Sequence, residues 1–95
     1  MSTSKPDSLP PEISDLRAHL DELDEQLVAL LNKRAQTSLK VWTLRGEAGL
    51  GRYDPRREEE ILQHVAQVNE GPLFNQQLRD IYHVLFTAMR KVGQL

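Results

Sequence analysis

The feature that most constrains this chain is a stretch from Glu12 to about Ala48 that has no proline and only one glycine, Gly46. Within it, apolar residues recur at steps of three and four, which is the spacing of one helical face. They are Ile13, Leu16, Leu20, Leu23, Leu27, Leu30 or Leu31, Val41 and Leu44. A helix of roughly 35 residues would be ~50 Å long. Because this exceeds the body of so small a domain, we expect another chain to cover much of the apolar stripe.

Glycine and proline divide the rest of the chain into two shorter helices. Glycines at 46, 49 and 51 are typical of a helix end and a turn. Asp54 and Pro55 suit the N-cap and first position of a second helix, which is predicted to end at about Val68. The Asn-Glu-Gly-Pro run at 69–72 ends it, and a third helix is predicted from about 75 to 92. The predicted inward residues are Ile61, Leu62 and Val65, then Leu78, Ile81, Tyr82, Leu85, Phe86 and Met89. No segment alternates as a half-buried strand does, so the predicted fold class is all-α.

Composition narrows the classes of protein to consider. With 95 residues, 39% of them hydrophobic and 5% aromatic, one chain alone would have a thin core. There is no cysteine, so a second subunit is the expected source of further stability. A net charge of -2 gives no general attraction to nucleic acid or to an anionic membrane, and no apolar run is long enough to span a bilayer. Residues 1–11 are predicted to be a disordered leader on a cytoplasmic protein, and 12–95 its helical domain.

An arginine interrupts the apolar seam of the long helix. At heptad spacing, Arg34 falls on one line with Leu20, Leu27 and Val41. A charge there is costly unless it is paired or binds a ligand. Arg17 and Arg45 border the same seam.

The spacing of these arginines favours a site shared between two chains. Arg17 and Arg34 are separated by ~25 Å along one helix, so one small ligand cannot touch both. In an intertwined antiparallel homodimer, Arg17 of one chain can approach the middle of the other. Sites on a two-fold axis come in pairs, so two composite sites are expected per dimer.

The start of the second helix adds further charges. They are Asp54, Arg56, Arg57, Glu58, Glu59 and Glu60. Arg57 and Glu58 lie one turn after the cap and are placed to point back at the long helix. Because the planar fork of arginine suits carboxylates, several arginines near one seam indicate a site for an anion such as a dicarboxylate.

Spacing alone leaves simpler interpretations open. Arg34 could pair with an acidic residue of the partner chain, and Arg17 and Arg45 could be solvated. The charges from 54 to 60 could be an ordinary capped helix start. The three histidines lack the spacing of a metal site, and there is no nucleophile motif or phosphate-binding loop, so neither a metal nor a cofactor is expected.

Three stretches of the chain resemble the all-helical chorismate mutases. The first contains Arg17, then Leu20-Asp21-Glu22-Leu23-Asp24, then Arg34. The second is Tyr53-Asp54-Pro55-Arg56-Arg57-Glu58, and the third is the loop at 69–73. The resemblance covers about residues 13 to 92. It implies an intertwined dimer of three-helix chains that converts chorismate to prephenate, a unimolecular rearrangement without nucleophile, metal or cofactor.

The resemblance also implies roles for individual residues. Arg34 and the partner chain's Arg17 would clamp the two carboxylates of chorismate, with Arg57 in support. Asp54 and Glu58 would approach the ring hydroxyl, Glu58 with its side chain. Arg45 stands where the family usually has a lysine that reaches a carboxylate and the ether oxygen.

The third helix departs from the family pattern. Met89 stands where many members have a small polar residue, and Gly93 stands where they have a glutamine or glutamate that bonds the ether oxygen. Three alternatives to a working mutase remain: a relative acting on isochorismate, a weakly active or inactive regulatory module of an aromatic-pathway enzyme, or a purely structural dimer, which Arg34 disfavours. Met89 and Gly93 favour the regulatory module.

Overall fold

Three helices form the part of the chain that the computed structural model describes, residues 9–94. Helix α1 spans Pro11–Glu47, α2 spans Pro55–Val68 and α3 spans Asn75–Arg90. No strand occurs within these residues. The prediction of an all-α fold with one long and two shorter helices is therefore confirmed. Residues 1–8 of the predicted leader lie outside the described range. Its last residue, Pro11, is the first of α1, where a missing N–H costs no helical hydrogen bond.

The chain divides into two compact units, one ending at Arg34 and the other beginning at Ala35. In its described residues, the first unit is the N-terminal part of α1. Its large apolar side chains are exposed, because a single helix has nothing in its own unit to pack against. They are Ile13, Leu16, Leu20, Leu23, Leu27, Val28, Leu30 and Leu31.

The second unit contains the end of α1 together with α2 and α3. Its buried apolar residues, among those that the structure describes, are Leu62 of α2 and Phe86 and Met89 of α3, and these two helices pack together. The rings of Tyr82 and Phe86 form a T-shaped pair, with ring centres 5.9 Å apart. Ile81, predicted on the same face, is 51% exposed. At ~100° per residue it lies about 140° around the helix from Phe86, at the edge of the apolar stripe.

Local signals in the sequence set most of the helix ends. Gly49 adopts φ +79 just after α1, a conformation that glycine reaches without strain. The Asn69 side chain closes the loop before α3, since its Nδ2 donates to the Leu73 carbonyl and its Oδ1 accepts from the Gly71 N–H. The end of α3 is Arg90, two residues before the predicted Val92. There the Val92 N–H bonds the Met89 carbonyl, so the last turn tightens before the chain leaves the helix.

Within residues 9–94, no helix combines the length and the apolar character needed to cross a bilayer.

Candidate active site

Arg45 and Asp54 join the end of α1 to the start of α2. The Nη1 of Arg45 donates to Oδ2 of Asp54 at 3.2 Å, and its Nε donates to the Gly51 carbonyl at 2.9 Å. The other oxygen of Asp54, Oδ1, accepts from the Arg57 N–H at 3.2 Å and caps α2. The cation at a helix C-terminus and the anion at a helix N-terminus each complement the helix dipole. Because a guanidinium has five N–H donors, Arg45 keeps most of them for a ligand while its direction is fixed.

Glu58 forms its ion pair with α3. Its Oε2 accepts from Nη1 of Arg90, and the guanidinium carbon of Arg90 lies 5.1 Å from the centre of the Tyr53 ring. The carboxylate side chain is 21% exposed and the arginine 29%. This differs from the expectation that Glu58 points back at the long helix. The physical reason is helical spacing: Glu58 shares a face with Leu62, four residues on, and that face packs against α3.

Arg57 also differs from that expectation. It is exposed, and its Nη1 lies 3.4 Å from Oε1 of Glu60, three residues along the same helix. A step of one residue turns a helix by about 100°, so Arg57 leaves the face on which Glu58 lies. The side chains are 64% and 54% exposed, and such a pair contributes little to stability.

The end of α3 is held by an arginine in the loop before α2. The Nη1 of Arg52 donates to the carbonyls of Arg90 at 2.9 Å and Val92 at 2.6 Å. Its guanidinium carbon lies 4.9 Å from the centre of the Trp42 ring in α1. One side chain therefore bonds carbonyls left unpaired at the helix end and also packs on an aromatic ring.

The two α3 positions predicted to bind substrate have different surroundings. Met89 is 5% exposed and belongs to the apolar core. Gly93 is exposed, with φ +77, and a Cβ there would meet Cδ2 of Leu39 at 3.5 Å. Neither presents a polar side-chain atom. The next residue, Gln94, has a side-chain amide that can donate a hydrogen bond, and it is exposed.

Arg17 and Arg34 lie on the first unit. Arg17 is exposed and Arg34 half-buried. Within residues 9–94, neither forms an ion pair or a side-chain hydrogen bond. The structure thus groups Arg45 with Asp54, and groups Glu58 with a residue that the sequence did not predict.

The sequence did not predict the contacts that Arg52, Tyr53 and Arg90 make at this site. Arg90 is separated by 32 residues from Glu58, and Arg52 by 40 from Val92. No local pattern reports such a contact, because it depends on how the helices pack. Among the described residues, no group of three or more histidine, aspartate or glutamate side chains is arranged to hold a metal ion.

Comparison with protein families gives a match over most of the chain. The family model described as chorismate mutase type II matches residues 16–94. That range includes every candidate site residue, from Arg17 to Gly93.

Curated relatives with significant similarity are longer proteins. A bifunctional chorismate mutase/prephenate dehydratase of Pseudomonas aeruginosa is 34% identical over 89 residues, which are 87% of this chain and 24% of that protein. The protein of the same description from Aquifex aeolicus is 32% identical over 81 residues, 81% of this chain and 22% of its own length. The chain thus spans about a quarter of the length of these relatives.

Solved structures of similar shape are close to this chain in length. Form II of the chorismate mutase from Thermus thermophilus superposes with a TM-score of 0.82 at 31% identity, covering 85% of this chain and 92% of that one. The chorismate mutase of Helicobacter pylori in complex with prephenate gives 0.80 at 34% identity, covering 86% and 89%.

Proposed function

We propose that this chain, which belongs to the chorismate mutase type II family, converts chorismate to prephenate. The observation that carries the proposal is the family match over residues 16–94, which contains all of the candidate site residues. The similar structure of the Helicobacter pylori chorismate mutase in complex with prephenate supports the same ligand chemistry.

The reaction sets simple demands on a protein. The ether C–O bond of chorismate breaks while a C–C bond forms, and no proton or group is transferred. The site must hold a flexible dicarboxylate in the compact conformer that reacts. It must also stabilise the negative charge that develops on the ether oxygen, which fixed cationic donors do well.

Two arginines are assigned to the carboxylates of chorismate. They are Arg34 and Arg17 of the partner subunit. This assignment is supported by the lack of a hydrogen-bonding partner for either guanidinium within residues 9–94, which leaves both available to bind an anion. An arginine fork can bind a carboxylate through two parallel hydrogen bonds.

Arg45 is assigned to the ether oxygen and an adjacent carboxylate. Its bonds to Asp54 and the Gly51 carbonyl fix the direction of the guanidinium before substrate binds. A donor already oriented needs no rearrangement at the moment of reaction. Asp54 therefore acts on Arg45, and Glu58 remains the carboxylate for the ring hydroxyl. Arg57 has at most a supporting role, because it is exposed and beside Glu60.

The subunit arrangement is part of the proposal. The apolar side chains of the first unit are exposed in one chain, Leu20 to 57% and Leu27 to 53%. Burying such a stripe stabilises by about 25 cal/mol per Å² of apolar surface. An antiparallel homodimer would cover it and would bring Arg17 of the partner subunit to each site. We place the enzyme in the cytoplasm.

A regulatory module is the second candidate function. The observation in its favour is the end of α3, where Met89 is buried and Gly93 has no side chain. Losing one transition-state donor costs roughly a hundredfold or more in rate. The relatives that carry a prephenate dehydratase suggest an aromatic-pathway enzyme as the partner.

One measurement separates these functions. The loss of chorismate absorbance is followed with purified, folded protein, and prephenate is identified as the product. We expect rapid conversion. Absence of turnover in protein that is folded and dimeric would refute the proposed mutase, and prephenate binding without turnover would favour the regulatory module.

A further inference from the structure

The ion pair between Glu58 and Arg90 raises a question about charge. Chorismate carries two carboxylates, and Glu58 would add a third negative charge beside the ring that it approaches. Like charges brought together in a partly buried site oppose binding. A bare carboxylate at Glu58 would therefore repel the substrate that the arginines attract.

Arg90 balances that charge and leaves one carboxylate oxygen as a hydrogen-bond acceptor. Its Nη1 occupies Oε2 of Glu58, and no other ion pair or hydrogen bond engages the carboxylate within residues 9–94. Oε1 is left to accept from a hydroxyl. The Tyr53 ring, 5.1 Å from the guanidinium carbon, limits where the guanidinium can lie.

We propose that Arg90 is a positioning residue of the active site, which neutralises Glu58 and fixes its side chain so that a dianionic substrate can approach. This inference rests on the proposed mutase function. Arg90 acts through Glu58 and is given no contact with the reacting atoms. Its backbone is also held, since its carbonyl accepts from Arg52.

A second ion pair provides a matched control. Arg79 of α3 pairs with Glu59 of α2 at 3.2 Å, so it joins the same two helices. Its side chains are 43% and 50% exposed, against 29% and 21% for Arg90 and Glu58. Removing Arg79 tests what any ion pair between α2 and α3 contributes to folding, without touching the proposed site.

The experiment compares steady-state kinetics of full-length variants. We expect Arg90→Met to raise the KM for chorismate at least about tenfold through repulsion by the exposed charge of Glu58. Arg90→Lys keeps the charge and should stay within about threefold of the wild type. Arg79→Met should leave both kcat and KM unchanged.

The decisive variant combines Arg90→Met with Glu58→Gln. Glutamine has no charge, so the double variant should reverse most of the rise in KM that Arg90→Met causes. A purely structural ion pair would predict no recovery. Circular dichroism is used to show that both variants are folded. The role of Arg90, but not the mutase function, would then be overturned by either of two results: a KM unchanged in Arg90→Met, or a KM that stays high in the double variant. Absence of turnover in the folded wild type would refute the mutase function itself, and the two failures are thus distinguishable.

Discussion

The Asp54 carboxylate contributes to stability in two ways, which two different substitutions can separate. Its Oδ1 caps α2 and its Oδ2 holds Arg45. Losing an N-cap side chain costs about 1 kcal/mol. The side chains of Arg45 and Asp54 are 26% and 35% exposed, so solvent screens their attraction, and the pair contributes about 0.5–1 kcal/mol. We expect Asp54→Ala to lower the free energy of unfolding by about 1.5–2 kcal/mol.

Asp54→Asn is the matched variant for the cap. Asparagine keeps an oxygen that can accept from the Arg57 N–H and is among the best N-cap residues, but it has no charge for Arg45. We expect it to cost only about 0.5–1 kcal/mol. Both variants leave Arg45 held only by the Gly51 carbonyl, so kcat should fall about tenfold in each, less than when a donor is lost outright.

The free energy of unfolding and kcat can be measured on the same samples. Urea unfolding gives the free energy, at one fixed protein concentration because the stability of a dimer depends on it. Initial rates of chorismate loss give kcat. Equal destabilisation by the two substitutions would show that the cap contributes nothing measurable. Wild-type kcat in Asp54→Asn would refute the reasoning that Asp54 orients Arg45.

Three further predictions concern the end of α3 and the shared site. Arg52→Met removes two hydrogen bonds to carbonyls and should lower the free energy of unfolding by about 1–3 kcal/mol; equal urea midpoints for variant and wild type would contradict this. Gly93→Ala should cost about 1–2 kcal/mol through its positive φ, since the new Cβ meets Leu39 only in ordinary contact, and urea unfolding again measures it. Heterodimers of Arg17→Ala and Arg34→Ala chains should regain about one intact site, and turnover should therefore recover when the two inactive variants are mixed. No recovery in verified heterodimers would count against a site shared between chains.

The sequence predicts the helices well where their boundaries have local causes. Asp54 and Pro55 start α2 at the predicted residue, and the Asn-Glu-Gly-Pro run at 69–72 follows its predicted end at Val68. These signals act over a few residues, so they can be read without knowledge of packing. The sequence pattern predicts the end of α3 two residues too late, at Val92 instead of Arg90. Its last turn is bonded by Arg52, from a different part of the chain.

The candidate site is predictable only in part, because some of its contacts join distant parts of the chain. Residue type and spacing single out Arg45, Asp54 and Glu58, and the structure gives each of them a defined partner. They do not reveal which partner Glu58 takes, because that depends on which face of α2 packs against α3. Ile81 shows the same limit on a smaller scale: its position at the edge of the apolar stripe decides its exposure, and its residue type does not.

Five of the arginines fall into two groups according to what holds them. Arg45, Arg52 and Arg90 are each bonded to backbone carbonyls or carboxylates of the second unit, so their positions are set by folding. Arg17 and Arg34 have no such partner within residues 9–94. A cation fixed by the fold can act on charge that develops during a reaction, because no reorganisation is needed. A cation without a partner in its own chain is better suited to bind a carboxylate that arrives with the ligand. The proposed rearrangement requires two binding cations, the role assigned to Arg17 and Arg34, and one oriented donor, the role assigned to Arg45.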